Sequence, residues 1–451
     1  MNTLLQQVRV LDPVSGTDKI ADVLIADGMI KSVADQILDF PEYTLVQNCQ
    51  DMILAPGLVD LYSHSGEPGF EERETVESLM KAAAAGGFTR LAILPNTLPP
   101  VDNLGGLAQL QQKVQGKENF SPSPHQRERR EEGGERRGEG KDNFSQYPHL
   151  YFWGALTMGV KGEQMTELAE LADAGVVGFA DGKPIQNLGL LRRMLEYLKS
   201  LGKPVALFPC NQQLAGNGVM REGFQSVCFG LPGNPAIAES SALAAILEIV
   251  AATDTPVHIM RVSTSRSVEL IQDAKQRGLP ITASTTWIHL LLNTNAVSSY
   301  DPNLHLEPPL GNPDDQEALI WGVQNGIIDA IAIDHTPYTY EEKTVSFGEA
   351  PSGTIGLELA LPLLWQTFVA SGKWSALELW RVLSVQPAQC LGQSLEAITP
   401  GVPAELILFA PNQTWNVTTQ TLKSRSSNTH WLGQQITGQV VQIWNSFLKP
   451  M

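Results

Sequence analysis

The chain has 451 residues, 43% of them hydrophobic, with 31 Lys and Arg set against 48 Asp and Glu for a formal net charge of -17. That length suits one large domain with a smaller companion, or two of medium size. The acidic balance argues against nucleic acid or anionic membrane as partners, since both need a basic surface, and no run of 18 apolar residues is present to span a bilayer.

The first residues, Met1 to Gln7, lack the basic start and long apolar stretch of a signal peptide, so a cytoplasmic location is the default expectation. Ala21 to Ala26 and Met29 to Val33 flank Asp27-Gly28, a dipeptide that favours a two-residue hairpin turn. At the other end, Glu405 to Phe409 and Gly438 to Trp444 read as further strands. The two β-rich ends, residues 1–54 and 396–451, are expected to build one small β-sandwich, because chain termini often lie close together.

Between them, residues 55–395 alternate short apolar runs with helical stretches. Ile53 to Leu61 is a strand candidate and Val76 to Ala85 a helix. Thr89 to Leu94, Leu150 to Trp153, Val176 to Phe179, Pro204 to Leu207, Pro256 to Ile259, Ile281 to Ala283 and Ile328 to Ile333 follow as strands. About eight strands separated by helices describe an α/β chain folded as a parallel (β/α)8 TIM barrel.

Residues 117–146 break that rhythm. From Lys117 to Ser145 there are seven basic and seven acidic side chains, bracketed by the near-repeats Gly116-Lys117-Glu118-Asn119-Phe120-Ser121 and Gly140-Lys141-Asp142-Asn143-Phe144-Ser145. With so little apolar content the segment is expected to be a disordered surface insertion. The four cysteines, Cys49, Cys210, Cys228 and Cys390, show no C-x-x-C spacing, so zinc-ribbon and redox-motif readings fail and reduced thiols are expected.

Pro56-Gly57-Leu58-Val59-Asp60-Leu61-Tyr62-Ser63-His64-Ser65-Gly66-Glu67-Pro68-Gly69 resembles the dihydroorotase signature P-G-x-x-D-x-H-x-H-x-R-E-P-G. Leu94-Pro95-Asn96-Thr97, Gly154-Ala155-Leu156-Thr157, Val262-Ser263-Thr264, Ile333-Asp334-His335-Thr336-Pro337 and Gly356-Leu357-Glu358-Leu359 extend the likeness over about nine-tenths of the chain. The resemblance implies a metal-dependent-hydrolase barrel. It also implies the reversible cyclisation of carbamoyl aspartate to dihydroorotate, with a hydroxide held between two divalent cations at the strand ends.

Against that pattern the ligand positions are depleted. Tyr62 stands where the first histidine of H-x-H belongs, and His64 keeps the second. Asp181, in Phe179-Ala180-Asp181-Gly182, sits one residue out of register with the bridging carboxylate. Ala206 to Cys210 holds no histidine, and Arg261 replaces the histidine before Val-Ser-Thr. Asp334, the family's acid/base, remains. Three residual ligand positions (His64, Asp181, Asp334) are too few for a metal pair, and an arginine that keeps its proton intrudes among them.

Substrate contacts are thinned as well: Asn96 persists, but Gly66 replaces an arginine, Glu307 an asparagine and Tyr338 a histidine. The expectation is that Arg261 pairs with Asp334 or Asp181 and that no metal cofactor is needed. Plainer roles are open too: His64 and His258 as structural histidines, Asp181-Gly182 as a turn. The resemblance implies a non-catalytic member of pyrimidine biosynthesis, forming an oligomer as a structural partner of aspartate carbamoyltransferase. The alternative is an active amidohydrolase, of dihydroorotate or another cyclic amide, with an altered zinc centre.

Overall fold

The computed structural model describes residues 2–118 and 147–446; most of the expected insertion at 117–146 falls outside the described residues. Eight strands run parallel in the order Leu58–Ser63, Phe88–Ile93, His149–Gly154, Gly178–Phe179, Ala206–Leu207, Val257–Ile259, Ile281–Thr286 and Ala330–Ala332. A bridge from Phe179 to Val205 joins the fourth strand to the fifth. The barrel closes between the eighth strand and the first: Asp334 donates its N–H to the Tyr62 carbonyl at 3.2 Å, and His64 its own to His335 at 2.8 Å. Asp60 adds a side-chain link across the same seam, accepting from the Ile333 N–H at 2.8 Å and the Ser63 hydroxyl at 2.5 Å. Burial pushes its carboxyl up to about 7.

The barrel lumen is packed solid. Small residues (Ala92, Ala180, Ala206, Ala330, Ala332) interleave with large ones (Tyr62, Trp153, Phe208, Met260), the mixture that fills a tapered eight-strand interior. A second, larger apolar layer lies where the helices press onto the outside of the strands. The helix Val76–Ala85 has the expected limits and is closed at its start by a capping box from Thr75 and Ser78.

Both termini contribute to one seven-stranded mixed sheet. Its order is Gln435–Asn445, Glu405–Asn416, Ile53–Pro56, Thr3–Asp12, Thr17–Ala26 and Met29–Ala34, with Leu45–Asn48 added parallel to the start of Thr3–Asp12. The expected hairpin is present: Ala26 pairs with Met29, and Asp27 and Gly28 have φ of 53° and 79°, as a type I′ turn requires.

The sequence reads Ile53 to Leu61 as one strand, but the chain divides it at Gly57. Ile53–Pro56 belongs to the terminal sheet and Leu58–Ser63 to the barrel. A Cβ on Gly57 would lie 2.1 Å from the Thr89 hydroxyl, so only glycine lets the two sheets meet this closely. Beside this junction Arg90 grips Glu405 with two bonds of 2.7 Å, and Thr89 donates to the same carboxylate at 2.8 Å. Replacing Glu405 with alanine would leave a largely buried guanidinium unpaired. It should lower the unfolding free energy by about 2–4 kcal/mol in urea titrations, and a change below about 0.5 kcal/mol would show that the clamp carries no load.

Candidate functional site

The C-terminal ends of the strands surround a cavity of about 300 Å³. Three segments set its floor. The first strand runs on into His64, and two residues past the sixth and eighth strands stand Arg261 and Asp334. Both hold left-handed backbones, with φ of 53° and 54°, a conformation that costs a non-glycine residue about 1–3 kcal/mol and persists where surrounding contacts over-determine it. The turn brings the two side chains together.

Arg261 pairs with Asp334 bidentately, Nε to Oδ2 at 2.8 Å and Nη2 to Oδ1 at 2.6 Å. Its Nη1 donates to the Gly182 carbonyl at 2.9 Å, and its Nη2 meets His64 Nε2 at 3.3 Å. The guanidinium carbon lies 5.5 Å from the Tyr62 ring centre and 5.2 Å from that of Phe208. Arg261 is only 5% exposed. Burial pushes His64 down to about 4, so its imidazole is neutral and accepts from the arginine. Of the two carboxylates offered by the sequence, the arginine takes Asp334.

Asp181 does not join this group. Its carboxylate accepts the N–H of Leu156 at 2.8 Å, the N–H of Thr157 at 3.1 Å and the Thr157 hydroxyl, which holds the loop after the third strand. Only its backbone reaches toward the cavity, where its carbonyl accepts from Asn96 Nδ2 at 2.9 Å. Asn96 lines the cavity beside Gly182.

Tyr62 is fully buried. Its hydroxyl accepts the Arg261 N–H at 3.1 Å and lies 2.8 Å from Ser284 Oγ. Ser284 in turn contacts His258 Nε2 at 2.8 Å, and His258 Nδ1 contacts Thr282 at 2.9 Å. The backbone N–H of Arg261 donates to the Tyr62 hydroxyl, and from there each hydroxyl and the imidazole can serve as donor or acceptor along the chain. This chain ties the first, sixth and seventh strands through the lumen.

At the rim, the backbone packs tightly against Gly66. A side chain at Gly66 would collide with the backbone of Phe70 and Glu74, whose carbonyl oxygens lie 2.4 Å from the Cβ position. The same loop supplies Arg73 to the cavity wall. Arg73 is bound to Glu342, with bonds of 3.0, 3.0 and 2.5 Å, and lies over the rings of Phe70 and Tyr338 at 4.2 and 4.8 Å. Lys183 and Glu307, both exposed, complete the charged rim. Sequence reasoning missed Arg73, Lys183 and Ser284. The acidic pair Glu341-Glu342 in the sequence offers a carboxylate without saying what it holds.

This donor set does not fit a pair of divalent ions. Among the described residues no group of three or more His, Cys, Asp or Glu side chains is placed to hold a metal. His64 and Asp334 do face one another, 3.8 Å apart, but the guanidinium already bonds to both. A fixed cation there repels a second positive charge at close range.

A family model described as the amidohydrolase family matches residues 53–444, and the chain belongs to that family. Within it, the sequence is similar to a probable dihydroorotase-like protein of Synechocystis sp., at 45% identity over 98% of each chain. It is also similar to the dihydroorotase of Pelobacter propionicus, at 36% identity over 98% of this chain and 97% of that one. Among solved structures, the L-hydantoinase (dihydropyrimidinase) of Arthrobacter aurescens aligns with a TM-score of 0.79 at 20% identity, covering 98% of this chain and 94% of the other. That last likeness is one of fold.

Two measurements probe the site. Replacing Arg261 with methionine strands Asp334 and should destabilise the protein by about 3–5 kcal/mol, whereas the Arg261→Met, Asp334→Leu double variant should recover much of that loss; additive losses in chemical denaturation would count against the pairing. Burial pushes His258 down to about 3, from 6.5. Between those values the unfolded chain binds the extra proton, so this residue's contribution to stability rises with pH across that window. The gap in unfolding free energy between wild type and His258→Gln should therefore widen from pH 4 to pH 6.5, and a constant gap would mean that the ring titrates normally.

Proposed function

We propose that this chain is a dihydroorotase-like protein of pyrimidine biosynthesis whose barrel no longer performs the ring-closing reaction. The observation that carries this reading is the Arg261 guanidinium, bonded at once to Asp334, His64 and the Gly182 carbonyl. The family's chemistry needs a metal-activated hydroxide and a carboxylate free to exchange a proton. Here the carboxylate is engaged in a bidentate ion pair and a permanent cation takes the neighbouring space. The depleted rim supports the same conclusion. Gly66 has no room for a carboxylate-gripping side chain, and Glu307 adds a negative charge to the cavity wall.

A silent barrel that keeps its packing is suited to assembly. We propose that its role is structural, within a cytoplasmic oligomer that includes aspartate carbamoyltransferase. The full-length likeness to dihydroorotases supports a place beside that pathway, and the net charge of -17 suits a partner with a basic face. The second reading, an active amidohydrolase of dihydroorotate or another cyclic amide with an altered zinc centre, draws on the cavity of about 300 Å³, still lined by Asn96, His64 and Asp334.

Purified protein incubated with dihydroorotate and zinc should show no turnover above background and less than one metal ion per chain by elemental analysis. Turnover well above background with bound metal would establish the second reading. Mixed with aspartate carbamoyltransferase at micromolar concentration, the chain should co-elute in a stoichiometric complex; separate elution would end the partner proposal while leaving the silent barrel intact.

A further inference from the structure

The terminal sheet has edges that are treated differently. Along Met29–Ala34 the outer side is covered by the chain near residues 399–404: Ile30 donates to the Val402 carbonyl at 2.9 Å, Gly401 to Ile30 at 2.8 Å and Ala404 to Gly28 at 2.8 Å. Covering is how folded proteins usually blunt a sheet edge. Among the described residues, Leu45–Asn48 has no such cover. On its inner side Leu45 donates to the Asn2 carbonyl and Cys49 to the Gln6 carbonyl, each at 2.9 Å. The alternation of a parallel ladder then turns the N–H and C=O groups of Val46 and Asn48 outward. Among the described residues no strand pairs with that outer side.

The surface beside this edge is apolar. Leu38, Phe40, Tyr43, Leu45 and Val46 are exposed by 80, 37, 92, 45 and 43%, five large hydrophobic side chains within nine positions. Leu45 and Val46 lie on the open strand and the others in the segment that leads into it; single exposed hydrophobics need no explanation, but a run of them ending on an open edge does. The same stretch is uniformly acidic. From Ser32 to Glu72 the sequence contains no Lys or Arg, while Asp35, Asp39, Glu42 and Asp51 are all exposed.

We infer that the outer edge of Leu45–Asn48 is a docking site for an extended, basic and apolar segment of a different protein, which adds to the sheet as a further strand. Backbone bonds to Val46 and Asn48 would set its register, Leu45 and Val46 would take its apolar side chains, and the acidic residues would meet its lysines or arginines. A second copy of this chain is a poor occupant, because its corresponding edge carries the same negative charges. The inference does not rest on the barrel being silent, since none of these residues touches the cavity.

The full-length protein can be tested by fluorescence anisotropy with a labelled ten-residue peptide of alternating lysine and valine. A peptide of the same composition with a central proline and a glutamate–valine peptide serve as controls. The alternating basic peptide should bind at least tenfold more tightly than either control. Val46→Pro, which removes an outward N–H at an edge position that tolerates proline, should weaken it at least tenfold with the thermal unfolding midpoint unchanged. Asp39→Lys with Glu42→Lys should weaken it and flatten its salt dependence. Equal binding of the proline control, or no effect of Val46→Pro, would reduce the site to unspecific charge attraction and overturn the inference. So would sedimentation showing that the wild-type chain self-associates through this edge and that Val46→Pro abolishes the association.

Discussion

The ion pair between Arg261 and Asp334 organises the mouth of this barrel. It joins the turns after the sixth and eighth strands, each held in a left-handed backbone. A buried pair of this kind is not automatically stabilising, since removing both charges from water costs several kcal/mol per ion before their attraction is counted. What offsets that cost here is the number of bonds made. Both carboxylate oxygens are engaged, and four of the five guanidinium N–H groups have partners: two on Asp334, one on a carbonyl and one on a neutral imidazole. Tyr62 belongs to the same arrangement, because its hydroxyl fixes the Arg261 backbone and passes the hydrogen bond on to Ser284 and His258. A network completed in this way holds a single geometry; one left partly unsatisfied would not.

The fold was legible because its signals are local and repeated. Short apolar strands at regular intervals, the Asp27-Gly28 turn and the helix at Val76–Ala85 each follow from neighbouring residues, and the structure has them where the pattern placed them. The arginine–carboxylate contact could also be anticipated, since a cation and an anion replacing or keeping adjacent ligand positions must face each other. Other features depend on residues far apart in the chain. The strand that breaks at Gly57 does so because Thr89 lies against it. Asp181 turns away from the cavity because the loop at Leu156 and Thr157 offers it three donors. The Tyr62 hydroxyl meets a serine 222 residues away. Nothing in the local sequence announces any of these.

The rim carries its guanidinium on a loop that closes over Gly66. The loop from Phe70 to Glu74 folds over Gly66 and fills the volume that a longer side chain would need. In its place the loop brings Arg73, already committed to Glu342 and stacked on two aromatic rings. At this point the wall keeps a positive charge, but a neutralised and rigid one, while Lys183 stands exposed elsewhere on the rim. A guanidinium held by a carboxylate offers an incoming anion far less than a free one, because any new contact must compete with a bond already made.

The division at Gly57 has a mechanical meaning. Ile53–Pro56 is stitched into the terminal sheet, and the next turn of backbone enters the barrel as Leu58–Ser63, ending beside His64. From Gly57 to Tyr62 the extended chain spans only about 16 Å, with no loop between to absorb a displacement. A tilt of the terminal sheet would therefore be delivered along a taut strand to the tyrosine at the centre of the lumen, so the small sheet and the barrel floor are geared together instead of hinged.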